Sequence, residues 1–217
     1  MKNTQKIVIG IASLAGAYFL VKQLMKLSFN PKNKNILFIG DSHTVGISWP
    51  SYLAKKYDFK EINLAKGAIT TGTMFGILEN YLKTNTCDSV FIYGGANDAY
   101  NTSISSETTV SNMQKMVDLA RSKNIIPFIV LGYNPMKVSY NKVATTSYVT
   151  TRAGMDELVK RYRELQKKMS RVQRATIIPV WNQATYSDTD GDALHLKTEA
   201  KIKLADYIGK KAFGLFR

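Results

Sequence analysis

The sequence predicts an α/β protein in which helices cover both faces of a parallel sheet. Short apolar segments alternate along the chain with longer segments whose apolar residues recur at helical spacing. The short segments are continuously apolar, which is typical of strands buried on both faces of a parallel sheet. The alternation of strand and helix continues from residue 36 almost to the end of the chain, and this order generates such sheets.

Each element has its own signal. Five segments rich in aliphatic, β-branched or aromatic residues predict strands at Ile36–Ile39, Phe59–Leu64, Ser89–Tyr93, Ile125–Leu131 and Thr176–Val180. Helical spacing predicts helices at Trp49–Tyr57, Thr71–Leu82, around Val110–Ala120, at 155–172 and at Thr198–Phe213. Residues 133–153 are polar and rich in Thr, Ser and Tyr, and so long a loop in a compact domain is either functional or mobile.

Composition restricts the available chemistry. The 217 residues fit one domain with a substantial core, and the single cysteine, Cys87, cannot form an internal disulfide. The two histidines, His43 and His195, are too few with that cysteine for a zinc site of the usual nitrogen and sulfur ligands. We therefore expect no metal and no cofactor, and chemistry based on oxygen nucleophiles, carboxylates and backbone donors.

The net charge of +14 has two main sources. Residues 1–34 hold six lysines and no acidic residue, and residues 160–174 hold seven basic residues against Glu164. Apolar residues in the second segment recur at helical spacing, so its basic residues form either a solvated helix face or a surface that attracts anions such as phospholipid headgroups. No nucleic-acid-binding motif accompanies them, and we expect no nucleic-acid partner.

The N-terminus contains an uncharged apolar segment, Ile7–Val21, whose apolar character continues past Lys22 to Leu27. A signal-peptide core has about 7–15 apolar residues and a spanning helix about 20. We expect an uncleaved signal-anchor that contacts the membrane through residues 7–25, with the following domain outside the cytoplasm. Cleavage near Ala17, or burial of the segment in an assembly such as a virus particle, are the alternatives.

A polar linker that contains Pro31 follows this segment. The predicted organisation is therefore an apolar segment at 1–28, a linker at 29–35 and a domain at 36–217.

Ligands of parallel α/β sheets bind at the carboxyl ends of the strands. Three short segments follow predicted strands, and a fourth precedes the last helix: Gly40-Asp41-Ser42-His43, Lys66-Gly67-Ala68, Gly94-Gly95-Ala96-Asn97-Asp98 and Asp190-Gly191-Asp192-Ala193-Leu194-His195. The topology directs all four segments to one edge of the sheet, so we expect their polar side chains to lie together.

These residues suit acyl transfer. A serine such as Ser42 is a weak nucleophile until a base takes its proton, and His195 is the candidate base. Asp192, three residues earlier, is the candidate partner that orients the imidazole. Attack on a carbonyl develops an oxyanion, for which the backbone N–H groups of Ser42 and Gly67 and the side-chain amide of Asn97 are candidate donors.

Together the four segments resemble the SGNH, or GDSL-type, hydrolase family over residues 35–213. Ser42 stands in Gly-Asp-Ser, Asn97 in Gly-Ala-Asn-Asp, and Asp192 and His195 in Asp-Ala-Leu-His. The resemblance implies a three-layer α/β/α, flavodoxin-like fold with five parallel strands, and metal-free hydrolysis of esters by a serine nucleophile. His43 and the segment around Gly67, which lacks the additional glycines of many members, depart from the family pattern.

The expected substrates are acyl or acetyl esters of glycans, cell-wall polymers or lipids, because a basic domain next to a membrane favours them over soluble metabolites. His43 and Tyr133 are candidate substrate contacts. The alternative is a catalytically silent, membrane-tethered or virion-associated binding protein with the same fold. Taken alone, Ser42 also fits a helix N-cap and Asn97 a turn; the order of all four segments favours the hydrolase.

Overall fold

A five-stranded parallel sheet forms the centre of the protein. The computed structural model describes residues 29–132, 152–190 and 195–214. The strands are β1 Asn35–Gly40, β2 Lys60–Asn63, β3 Ser89–Tyr93, β4 Ile126–Leu131 and β5 Thr176–Pro179. They lie in the order β2-β1-β3-β4-β5, with every neighbouring pair parallel. The predicted α/β class and its five parallel strands are confirmed.

Helices cover both faces of the sheet. Within the described residues they are α1 Trp49–Tyr57, α2 Thr71–Tyr81, α3 Ala96–Tyr100, α4 Ser106–Ser122, α5 Arg152–Met169 and α6 Thr198–Phe213, with a 3₁₀ turn at Tyr186–Asp188. Helices α1 and α6 pack together on one face, and α2, α4 and α5 pack on the other. No helix within the described ranges is long and apolar enough to cross a membrane.

The core consists of two layers because successive strand residues point to opposite faces. In β1, Phe38 lies in the core under α1 and α6, whereas Leu37 lies in the core under α2, α4 and α5. On the first face Phe38, Phe91 and Phe128 are in register on β1, β3 and β4, and their rings stack at 5.2 and 4.5 Å. Each buried ring stabilises the fold by about 1.5–3 kcal/mol, so this row fixes the strand register.

Strand β1 determines where a ligand can bind. The chain passes from β1 to β2 on one side of it and then to β3 on the other side. This reversal opens a crevice at the carboxyl end of β1, where ligands of open α/β sheets bind. The loop that contains Ser42 begins at this point, directly after Gly40.

Most element boundaries differ from the prediction by one to four residues, and two differences concern the segments around the crevice. The five-residue helix α3 lies after β3, where the sequence predicts no helix; Gly95 adopts a φ of 101° and the chain then coils for little more than one turn. Helix α5 begins at Arg152, so the last two residues of the predicted loop 133–153 are helical. The apolar segment 1–28, Tyr133 and Asp192 lie outside the described residues.

Candidate active site

Ser42 lies in a tight turn directly after β1. A Cβ at Gly40 would lie 2.5 Å from Thr44 Oγ1 and 2.8 Å from the Tyr93 carbonyl oxygen, so only glycine fits there. The Asp41 N–H donates to that same carbonyl at 3.3 Å, and the Thr44 N–H donates to the Asp41 carbonyl at 3.0 Å. The Gly-Asp-Ser sequence therefore turns the chain sharply and leaves the half-buried Ser42 at the sheet edge.

His195 meets Ser42 from the opposite end of the chain. Its Nε2 atom lies 3.1 Å from Ser42 Oγ, although the two residues are 153 positions apart. The backbone around His195 is held in place, because its carbonyl accepts the Asp190 N–H at 2.8 Å and the Lys197 N–H donates to the Asp188 carbonyl at 2.8 Å. The structure thus places the predicted nucleophile and the predicted base within hydrogen-bond distance.

His43 lies beside this pair. Its ring centroid is 5.5 Å from that of His195 and 5.6 Å from that of Tyr93. The His43 carbonyl accepts the Ser48 hydroxyl at 2.9 Å, which ties the loop to the start of α1. The residue predicted to contact substrate therefore also packs against the imidazole of the candidate base.

Asn97 and Asp98 in α3 hold the segment that follows β2. The Asn97 side-chain amide donates one N–H to the Ile69 carbonyl at 3.0 Å. The completely buried Asp98 accepts from the Thr71 N–H at 3.0 Å, from the Thr71 hydroxyl and from the Thr109 hydroxyl at 3.2 Å. Asp98 thereby caps the first turn of α2, whose own N-cap residue, Thr70, makes no side-chain bond to a backbone N–H of that turn.

Gly67 lies exposed in the turn between β2 and α2. The Lys66 N–H donates to the Gly40 carbonyl at 3.0 Å, which joins this turn to the end of β1. The positive φ of the turn falls on Ala68, at 59°, and a Cβ at Gly67 would meet nothing within 4 Å. The fold itself therefore does not require glycine at this position, and the space around it is open to a ligand.

Asp41 is a buried acid directly before the nucleophile. Its Oδ1 accepts the His43 N–H at 3.1 Å, whereas its buried Oδ2 has no hydrogen-bond partner within the described chain. Burial raises the pKa of Asp41 to about 7; the His43 hydrogen bond opposes that rise and the charge on Asp98 adds to it. The Gly-Asp-Ser motif predicts a structural Asp41 that bonds the backbone around the nucleophile loop. The motif does not show that this side chain is buried.

A small cavity of about 30 Å³ touches both Ser42 and His195. Its walls include Trp49 and Leu204, and one cation, Lys201, lines it from the first turns of α6. The cavity accepts a small group next to the nucleophile.

Two basic residues of 160–174, Lys168 and Arg174, pair with acidic residues of α4. Lys168 bonds to Glu107 and Ser106 at 2.5 Å, and Arg174 lies 3.7 Å from Asp118. These contacts join α5 and the segment after it to α4 across an exposed surface. They agree with the solvated-face interpretation, and attraction to an anionic surface stays a prediction.

Comparison of the sequence with models of protein families identifies one family. A model described as the GDSL-like lipase/acylhydrolase family matches residues 38–200, from β1 to the start of α6. A search of curated proteins gives no match.

Solved structures show the same fold at low sequence identity. An acetylxylan esterase from Geobacillus stearothermophilus, a catalytic mutant, has a TM-score of 0.67 at 11% identity, with 87% of this chain and 98% of that chain covered. A lipase/acylhydrolase from Enterococcus faecalis has a TM-score of 0.59 at 18% identity, with 83% and 96% covered. A psychrotrophic esterase from Pseudoalteromonas, inhibited by monoethylphosphonate, has a TM-score of 0.58 at 17% identity, with 82% and 95% covered.

These likenesses establish the fold, and the family match extends over three quarters of the sequence, including the segments that carry Ser42, Asn97 and His195. The chain therefore belongs to the GDSL-like lipase/acylhydrolase family and is an SGNH-type esterase.

Proposed function

We propose that the protein hydrolyses carboxylic esters with Ser42 as nucleophile and His195 as general base. The observation that carries this proposal is the 3.1 Å distance between Ser42 Oγ and His195 Nε2. Ser42 Oγ attacks the ester carbonyl carbon while its proton passes to His195 Nε2. The protonated imidazole then gives that proton to the departing alkoxide, which leaves an acyl group on Ser42. Water, deprotonated by the same imidazole, releases the acid and restores Ser42.

The oxyanion formed at each attack needs donors that are already in place. The Ser42 backbone N–H and the Asn97 side-chain amide are two such donors, since Asn97 uses one N–H on the Ile69 carbonyl and has a second N–H for a ligand. The Gly67 backbone N–H, in its open turn, is the third. The three donors follow β1, β2 and β3, Asn97 from the short helix α3, and the parallel order of these strands supports their placement at one edge of the sheet.

Asp192 is proposed to orient the imidazole of His195. Two observations support this role. Asp192 lies three residues before His195 in the sequence. The Asp190 N–H donates to the His195 carbonyl, which joins the residues before and after Asp192. The substrates are proposed to be acyl or acetyl esters of glycans, cell-wall polymers or lipids, with Tyr133 and His43 as contacts. Family membership supports the ester class.

A labelling experiment tests the mechanism. The intact protein is treated with a fluorophosphonate, and the modified peptide is identified by mass spectrometry. Modification of Ser42 alone is expected, with far slower modification after His195→Ala. Hydrolysis of p-nitrophenyl acetate should disappear in Ser42→Ala and persist in Ser122→Ala, a matched change at an exposed residue. Full turnover by Ser42→Ala contradicts the serine mechanism, and a wild type that neither labels nor turns over supports the silent-protein alternative.

We also propose that residues 7–25 anchor the protein in a membrane, with the esterase domain outside the cytoplasm. The support is the uncharged segment Ile7–Val21, which the polar linker separates from the domain. Partition of the full chain between aqueous and Triton X-114 phases tests this. Recovery in the detergent phase is expected, and quantitative recovery in the aqueous phase contradicts the anchor.

A further inference from the structure

The imidazole of His195 is next to two consecutive residues of the loop after β1. Its Nε2 atom lies 3.1 Å from Ser42 Oγ, and its ring centroid lies 5.5 Å from that of His43, with 36° between the ring planes. Aromatic rings attract each other at centroid distances of about 4.5–7 Å. The His43 ring is therefore a direct neighbour of the candidate base, and all three residues line the same small cavity.

The backbone of His43 is fixed on both sides. Its N–H donates to Asp41 Oδ1 at 3.1 Å, and its carbonyl accepts the Ser48 hydroxyl at 2.9 Å. Asp41 is buried directly after β1, and Ser48 is the buried N-cap residue of α1. Both partners belong to the interior of the domain, so the position from which the His43 side chain extends is well determined.

The ring of His43 also packs against the core. Its centroid lies 5.6 Å from that of Tyr93, which is buried at the end of β3. The Tyr93 ring in turn lies 6.2 Å from that of Trp49, which is completely buried. A row of ring contacts therefore leads from the interior of the domain, through His43, to the imidazole of His195.

A general base acts only while its acceptor nitrogen is aligned with the hydroxyl that it deprotonates. The imidazole of His195 turns about two side-chain bonds, and a turn away from Ser42 Oγ removes the 3.1 Å contact. A neighbouring ring excludes the orientations that would use the same space. Displacement of a reacting group by about 1 Å can lower a rate by about 100-fold, so such a restriction has a measurable effect.

We propose that His43 is a positioning residue whose ring keeps the imidazole of His195 aligned with Ser42 Oγ. This inference rests on the proposed function of Ser42 and His195, and it assigns to His43 a role in the alignment of the base. The role depends on the shape of the ring and not on its charge. Phenylalanine can therefore replace His43, whereas alanine leaves space into which the imidazole can turn.

Steady-state kinetics with p-nitrophenyl acetate test this role. His43→Ala should lower kcat by about 10- to 100-fold and change KM by less than about threefold, because alignment acts on the chemical step. His43→Phe should restore kcat to within about threefold of the wild type. A wild-type kcat in His43→Ala, or an equally low kcat in His43→Phe, overturns the inference. A change confined to KM shows a substrate contact and also overturns it.

Ile47→Ala is the matched control. Ile47 lies in the same loop, four residues after His43, and its side chain is exposed, so this change should alter kcat by less than about twofold. Thermal unfolding of each variant shows whether it folds. If His43→Ala does not fold, His43→Gln replaces it, because glutamine fills part of the space without a ring. Its kcat should fall at least about fivefold, and a wild-type kcat overturns the inference.

Fluorophosphonate labelling separates this inference from the proposed function. Labelling of Ser42 should be about tenfold slower in His43→Ala than in the wild type, and His43→Phe should label at nearly the wild-type rate. Equal labelling and turnover by the wild type and His43→Ala contradict the positioning role and leave the esterase mechanism intact. A wild type that neither labels nor turns over contradicts the mechanism, and the positioning role with it.

Discussion

The carboxyl groups of Asp41 and Asp98 are both buried, and the charge on Asp98 contributes to the raised pKa of Asp41. The two acids differ in their partners. Asp98 accepts hydrogen bonds from Thr71 and Thr109, whereas Asp41 accepts the His43 N–H and leaves its Oδ2 unpaired within the described residues. The nucleophile loop thus contains an acid that is costly to ionise.

Asp41 makes the free energy of unfolding depend on pH. Burial raises its pKa to about 7 in the folded protein, against an ordinary pKa of 3.8 for the solvated side chain. Between these values the folded state holds a proton that the unfolded state has released, so stability falls as pH rises from about 4 to 7. Asp41→Asn should remove this dependence of stability on pH. It should also raise the free energy of unfolding at pH 8 by up to about 4 kcal/mol. The side-chain oxygen of asparagine can still accept the His43 N–H.

Urea unfolding of the wild type and of Asp41→Asn between pH 4 and pH 8 measures this effect. Asp58→Asn, at an exposed carboxyl group, is the control and should leave the slope unchanged. Parallel pH curves for the wild type and Asp41→Asn would show that Asp41 titrates at its ordinary pKa.

Asn97→Ala should lower kcat by about 10²–10³ with little change in KM, because an oxyanion donor acts chiefly in the transition state. Steady-state kinetics with p-nitrophenyl acetate measure it. The loss of the bond to the Ile69 carbonyl is a separate effect, and thermal unfolding of the same variant reports it. Asn101→Ala, at an exposed residue four positions later, is the matched control. Normal turnover by Asn97→Ala would mean that other groups stabilise the oxyanion.

Asp98→Ala should destabilise the fold by about 2–5 kcal/mol, because the N–H and hydroxyl of Thr71 and the hydroxyl of Thr109 lose their acceptor in the core. Denaturant unfolding of this variant and of Asp118→Ala, at a largely exposed acid, measures the difference. A loss no larger than that of Asp118→Ala would mean that Asp98 does not support α2.

Ser42→Ala and His195→Ala should each remove most of the esterase activity, and the double variant should be scarcely worse than either one. The reason is that a nucleophile and its base act as one unit, so the second change has little left to remove. Single-turnover rates of the two single variants and the double variant measure this. Multiplicative losses in the double variant would show that Ser42 and His195 act independently.

The sequence predicts the elements with strong local signals and misses those that depend on distant contacts. β3 and α6 have the predicted bounds, because an apolar run closed by Gly94 and a long helical pattern are local features. The short helix α3 has too few residues to show periodicity. The cap that Asp98 provides for Thr71 joins residues 27 positions apart, and no local pattern encodes it.

The same distinction holds for the site. The order of the motifs predicts that Ser42 and His195 meet, because parallel strands place their carboxyl ends at one edge. The burial of Asp41, and the lining of the cavity by Trp49 and Lys201, depend on how α1 and α6 pack on the sheet. Such packing has no signature in a single sequence.

The direction of strand β1 determines where the N-terminal linker lies relative to the active site. It enters the sheet at Asn35, directly after the N-terminal linker, and ends at Gly40, next to the nucleophile loop. Six residues of extended chain span about 20 Å. The point of chain entry and the mouth of the active site therefore lie on opposite sides of the domain. If a membrane holds the N-terminus, as we propose, Ser42 faces away from that membrane, toward substrates outside it.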